Sequence, residues 1–94
     1  MMMAMKNIDY IMEYVKEFLD GKRERWEFEL DFGYEIETHW NKMKREDREY
    51  AELIYDRLLE DGADAGIDLG DDEYEKLIRR KYNDVKSIVA EGFY

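Results

Sequence analysis

The chain has no cysteine and no proline. Among its 94 residues it has one histidine (His39), one serine (Ser87) and one threonine (Thr38). Disulfides, Cys-ligated zinc and a thiol nucleophile are therefore excluded. A Ser/His/Asp triad would have to use Ser87 and His39, and Ser87 lies in a stretch of ordinary helical periodicity. No apolar run approaches the ~20 residues that a membrane-spanning helix needs. The opening Met1-Met2-Met3-Ala4-Met5 is too short and too weakly charged for a secretory signal, and reads as a loose N-terminal extension. The expected compartment is the cytoplasm, of either a cell or an infected host.

What is abundant is acid. Asp and Glu number 25 against 15 Lys and Arg, for a net charge of −10. With 45% hydrophobic and 15% aromatic residues, the chain can still build a core. Its length fits a single domain spanning residues 1–94. The charge disfavours nucleic acid and anionic membranes as direct partners, because phosphate would be repelled. It favours a basic protein surface or a divalent cation.

Periodicity predicts a helix over Asn7–Asp20, with Ile8, Ile11, Met12, Val15, Phe18 and Leu19 on one stripe and Gly21 ending it. Its other face carries Asp9, Glu13 and Glu17 in a row, with Tyr10 and Tyr14 beside them. From Arg25 to Glu37 apolar residues fall at every second position: Trp26, Phe28, Leu30, Phe32, Tyr34 and Ile36. That alternation predicts β structure. One strand of 13 residues would run about 43 Å at ~3.3 Å per residue, too long for a domain with a radius of gyration near ~12 Å. A hairpin turning at Asp31-Phe32-Gly33 is the shorter solution. In that register Glu29 faces Glu35 and Glu27 faces Glu37, a ribbon of like charges that costs on the order of 0.2–1 kcal/mol per pair.

A second helix is predicted from about Asn41 to Glu60, with Met43, Tyr50, Ala51, Ile54 and Leu58 inward and Gly62 after it. Residues 61–72 form a loop of five Asp and three Gly without a cation. A third helix follows to about Ala90, with Tyr74, Leu77, Ile78, Val85, Ile88 and Val89 inward and Gly92 as its stop. The expected fold class is α+β: helix, β-hairpin, helix, helix, with a short antiparallel sheet packed on the helices.

Chemistry is thin. Counted from Asp61, Gly66 and Asp72 fall at the sixth and twelfth positions of a calcium-loop pattern, but Ala63 and Ala65 occupy two ligand positions. Paired carboxylates on a flat hairpin give no cleft for acid/base catalysis. Arg79-Arg80-Lys81 lies on a helix where Glu75 and Asp84 stand ready to pair with it. The expectation is a non-enzymatic binding protein without cofactor or metal, monomeric or homodimeric. Its partner would be the basic surface of another protein, a nuclease or other nucleic-acid-binding protein. The expected contact residues are Asp9, Tyr10, Glu13, Tyr14, Glu17, Glu27, Glu29, Glu35, Glu37, Asp64 and Asp68. An immunity protein or antitoxin neutralising a nuclease toxin would use the same surface. The alternatives from other classes are a calcium-responsive module using Asp61 to Asp72 and an oligomeric structural protein with Tyr10 and Tyr14 at a subunit contact.

Small size, acidity, lack of cysteine and the element order from Asn7 to Ala90 make the chain similar in class to phage-encoded anti-CRISPR proteins and other DNA mimics. That resemblance implies inhibition of a CRISPR effector nuclease by competition with nucleic acid.

Overall fold

A computed structural model describes residues 5–92. Met1–Ala4, most of the expected loose extension, lie outside the described residues. The described chain is helical, with no strand: α1 (Lys6–Leu19), α2 (Arg25–Leu53), a π-helical continuation of α2 (Ile54–Asp64) and α3 (Asp71–Glu91). The expected α+β class, its hairpin and its sheet are therefore corrected: Arg25–Glu37 is the first part of a long helix.

The reason lies in the alternation itself. A period-two series contains a period-four series, and positions i, i+4 and i+8 share a helical face at 3.6 residues per turn. Phe28, Phe32 and Ile36 form such a set and are buried, and the set continues along α2 through Met43, Tyr50 and Ala51. Local chemistry supports the helix. Glu24 and Glu27 form a reciprocal capping box at its start, with the Glu24 N–H donating to Glu27 at 3.3 Å. Arg25 pairs with Glu29 one turn later at 2.7 Å.

α1 runs antiparallel to α2. It ends where expected: Gly21 adopts φ 81°, its N–H reaches the Phe18 carbonyl at 3.1 Å, and the Lys22 N–H reaches the Glu17 carbonyl at 2.8 Å. This double bond pattern needs a residue of positive φ, which glycine adopts without strain. The start of α1 is capped from elsewhere. The Glu46 carboxylate, far along α2, accepts the Asn7 N–H at 2.9 Å, the Asn7 Nδ2 at 2.7 Å and the Ile8 N–H at 2.9 Å. Beside it Asp47 leaves helical geometry (φ −165°, ψ 101°) and accepts the Tyr50 N–H at 3.1 Å. The kink in α2 is thus a fresh helix start capped by Asp47.

The core is aromatic at one end. Phe18 and Phe28 stack at 4.6 Å between centroids, Phe28 and Phe32 at 4.7 Å, and Tyr74 of α3 meets Phe18 edge-on at 5.8 Å. Glycine admits α3 to the π-helical end. A Cβ on Gly66 would stand 2.7 Å from Leu77 Cδ2 and 3.1 Å from the Gly62 carbonyl. The predicted loop 61–72 is accordingly shorter, because Asp61 and Asp64 belong to the π-helix and α3 begins at Asp71. Gly92 (φ 75°) ends α3.

Candidate functional site

The helix that replaces the hairpin has two apolar faces. Its inner face is the core set just described. Its outer face carries Trp26, Leu30 and Tyr34, again spaced by four residues, and these are 65%, 71% and 68% exposed. Folding gives no account of them, since apolar side chains of this size on one outward stripe bury nothing within the molecule. Their contacts place them on a rigid support: α2 is pinned beneath them by Phe28 and Phe32, and at its start by Arg25. The Arg25 guanidinium binds Asp71 at 2.9 Å and the Ile67 carbonyl at 3.2 Å, and lies 4.2 Å from the Tyr74 ring centroid.

Carboxylates surround this ridge, though not as a ribbon. On a helix Glu27, Glu29, Glu35 and Glu37 fan out at about 100° per residue, so the cross-strand pairs Glu29–Glu35 and Glu27–Glu37 do not exist. Glu29 pairs with Arg25. Glu35 lies 3.8 Å from His39 Nδ1, whose N–H donates to the Glu35 backbone carbonyl at 2.8 Å. Glu27 is engaged in the cap. Glu37 and Asp31 are exposed and take part in no ion pair among the described residues.

The α1 residues are divided. Asp9 and Glu13 are exposed, and Glu17 is paired with Arg23 at 2.7 Å. Tyr10 is 43% exposed and its ring stacks on His39 at 4.7 Å. Burial, then the charge and hydrogen bond of Glu35, push its hydroxyl pKa up. Tyr14 is only 3% exposed, its ring between Phe32 at 6.2 Å and the Arg23 guanidinium at 3.8 Å. Burial raises its pKa against the opposing Arg23 charge. Tyr14 is core, contrary to the expectation that it points away from the apolar stripe. Arg23 makes the difference by roofing the ring.

Asp64 and Asp68 are both exposed, at the π-helix end and in the turn after it. The carboxylates of 61–72 do not converge, and among the described residues no three His, Asp or Glu side chains could hold a metal ion. A cavity of about 450 Å³ lies between α2 and the π-helix, lined by Gly33, Ile36, Glu37, Trp40, Tyr55, Leu59 and Asp64. Trp40 and Tyr55 form its aromatic wall, with centroids 5.3 Å apart. Sequence reasoning passed over Trp26, Leu30, Tyr34, Trp40 and Tyr55, because it assigned the first three to a sheet core, left Trp40 in the connection before the expected second helix and gave Tyr55 no role within it. A helical wheel of 24–60 separates the two apolar series.

No helix among the described residues is long and apolar enough to cross a membrane. Comparison with family models, curated proteins and solved structures finds no match to this chain.

Proposed function

We propose that the protein works by binding, docking the outer ridge of α2 on a basic surface of another protein. The observation that carries this is the stripe Trp26, Leu30, Tyr34: large, outward and unused by the fold. Trp and Tyr are the side chains that most often dominate interface energies, and α2 holds these in fixed register. The chemistry around them selects the partner. Glu27, Asp31 and Glu37 rim the ridge, and the whole chain carries −10. A second copy would bring those carboxylates against their own kind, whereas a cationic rim around an apolar groove complements them.

Cationic surfaces in the cytoplasm belong largely to proteins that handle nucleic acid. The proposed action is therefore inhibition: the acidic ridge occupies a groove that would otherwise hold DNA or RNA. A CRISPR effector nuclease and a nuclease toxin both offer such a groove, and the identity of the captured protein separates these two targets.

The test is capture from a bacterial or phage-infected lysate at low and high salt, followed by competition. The expected result is a nucleic-acid-binding protein retained at low salt, released at high salt, and displaced by duplex DNA or RNA. The double variant Trp26→Ser/Tyr34→Ser, still folded by circular dichroism, should retain none of it. Capture by that variant at the parent's level would contradict the proposal.

A further inference from the structure

The cavity beside the ridge has its own chemistry. Its two exposed carboxylates, Glu37 and Asp64, come from different elements, α2 and the π-helix. Neither makes an ion pair among the described residues. Trp40 and Tyr55 line the same cavity, tilted at 49° with centroids 5.3 Å apart. Ile36 and Leu59 add apolar lining, and Gly33 adds no side chain: the nearest atom to its would-be Cβ is Leu59 Cδ1 at 3.8 Å. An aromatic wall attracts a cation through its π face, and two flanking carboxylates accept its N–H groups. The Trp40 ring already has a cation near it, with Lys44 Nζ 5.3 Å from its centroid, and Lys44 pairs with neither carboxylate.

We infer that this cavity is a receptor for a guanidinium group, supplied by an arginine side chain of the docked protein. A guanidinium is flat enough to stack on Trp40 or Tyr55 and presents a fork of donors that an ammonium lacks. At about 450 Å³ the cavity has room for an entire arginine side chain. Gly33 and Glu37 flank Tyr34 along α2, so the cavity and the ridge share one stretch of that helix and a partner seated on the ridge has the cavity within reach. Only the source of the guanidinium rests on the binding proposal, because the cavity's preference can be measured without a partner.

The experiment is a titration of the full chain with N-acetyl-arginine amide, followed by the two indole N–H resonances in an NMR spectrum. N-acetyl-lysine amide and the neutral isostere N-acetyl-citrulline amide serve as controls. The Trp40 resonance should shift and saturate with a Kd on the order of 1–10 mM, while Trp26 stays in place. The lysine compound should bind several-fold more weakly, and the citrulline compound should not shift Trp40. Glu37→Gln/Asp64→Asn, with an unchanged Trp26 resonance and melting temperature as proof of fold, should weaken arginine binding at least tenfold. If the double variant melts early, Asp64→Asn alone serves, with a several-fold loss expected.

A Trp40 resonance indifferent to arginine, an equal response to citrulline, or full affinity in the carboxylate variant would overturn the inference. None of those outcomes touches partner capture by the ridge. Conversely, arginine binding that survives alongside failed capture would remove the ridge proposal and leave the cavity's preference standing.

Discussion

The two faces of the first half of α2 are made of the same kind of residue and do opposite things. Phe28, Phe32 and Ile36 point inward and are buried, Phe28 and Phe32 against the aromatic rings of α1. Trp26, Leu30 and Tyr34 sit two residues out of phase and point into solvent. The inner face is explained once the fold is explained. The outer face adds nothing to the fold, and isolated in water it is a liability. An apolar series that folding does not use is the most specific functional signal in this molecule, more specific than its acidity, because much of the acid is already paired or engaged in caps.

The sharpest way to break that contrast is to truncate one residue from each face. Phe28→Ala should cost about 3–5 kcal/mol of unfolding free energy, since it empties the aromatic stack at its centre. Trp26→Ala, though it removes a larger side chain, should stay within about 0.5 kcal/mol of the parent. Urea titration of both variants measures the difference. Comparable losses in the two would show that Trp26 is packed, and the two-face description would fail.

A second contrast concerns glycines. Gly66→Ala drives a Cβ to within 2.7 Å of Leu77 and 3.1 Å of the Gly62 carbonyl, and should cost about 1–3 kcal/mol. Gly33→Ala, mid-helix with nothing nearer than 3.8 Å, should instead gain about 0.5–1 kcal/mol. Thermal melting orders the three proteins. A neutral Gly66→Ala would mean that α3 does not approach the π-helix as closely as described.

A third prediction tests the long-range cap. Burial pushes the Glu46 carboxyl up, but hydrogen bonds from the Asn7 side chain and from the Asn7 and Ile8 amides outweigh it and hold its pKa below the ordinary value. A carboxyl lowered in the folded state contributes stability that is complete above its unfolded value of about 4.3 and is lost as the pH falls through the folded value. Glu46→Gln should therefore cost about 0.5–2 kcal/mol at neutral pH, with the gap to the parent narrowing below about pH 4. A gap that held constant into acid would show that the charge of Glu46 is not what holds the start of α1.

How much of this was legible beforehand follows from the same residues. α1 and α3 were, because Ile8-Ile11-Val15-Phe18 and Tyr74-Ile78-Val85 repeat at helical spacing and each helix meets a glycine in the left-handed region at its end. Arg25–Glu37 was not, because placing apolar residues on two opposite faces of a helix reproduces the alternation of a strand. Two local cues spoke for helix: the Glu24–Glu27 box and the Arg25–Glu29 spacing. The excessive length of a single strand, about 43 Å at ~3.3 Å per residue, was a third. The cap on α1 was illegible in principle, since nothing local ties Asn7 to Glu46 across the sequence. The burial of Tyr14 was hidden for a related reason: the roof over its ring is Arg23, in the turn beyond the helix. The acidic ribbon existed only in the hairpin register and went with it. The acids that remain free beside the ridge, Asp31 and Glu37, are fewer than alternation implied and better placed for a rim.

If the protein acts as proposed, the outer face of α2 is covered by another protein in the working complex. Fluorescence quenching of Trp26 by acrylamide, in a Trp40→Phe background so that one indole reports, tests it most directly. Alone, Trp26 should quench nearly as freely as an unstructured peptide. On addition of the captured, tryptophan-free or fluorine-labelled partner, quenching should fall several-fold and recover at high salt as the complex dissociates. Quenching unchanged in a complex shown by sizing to be intact would place the interface elsewhere and contradict the account.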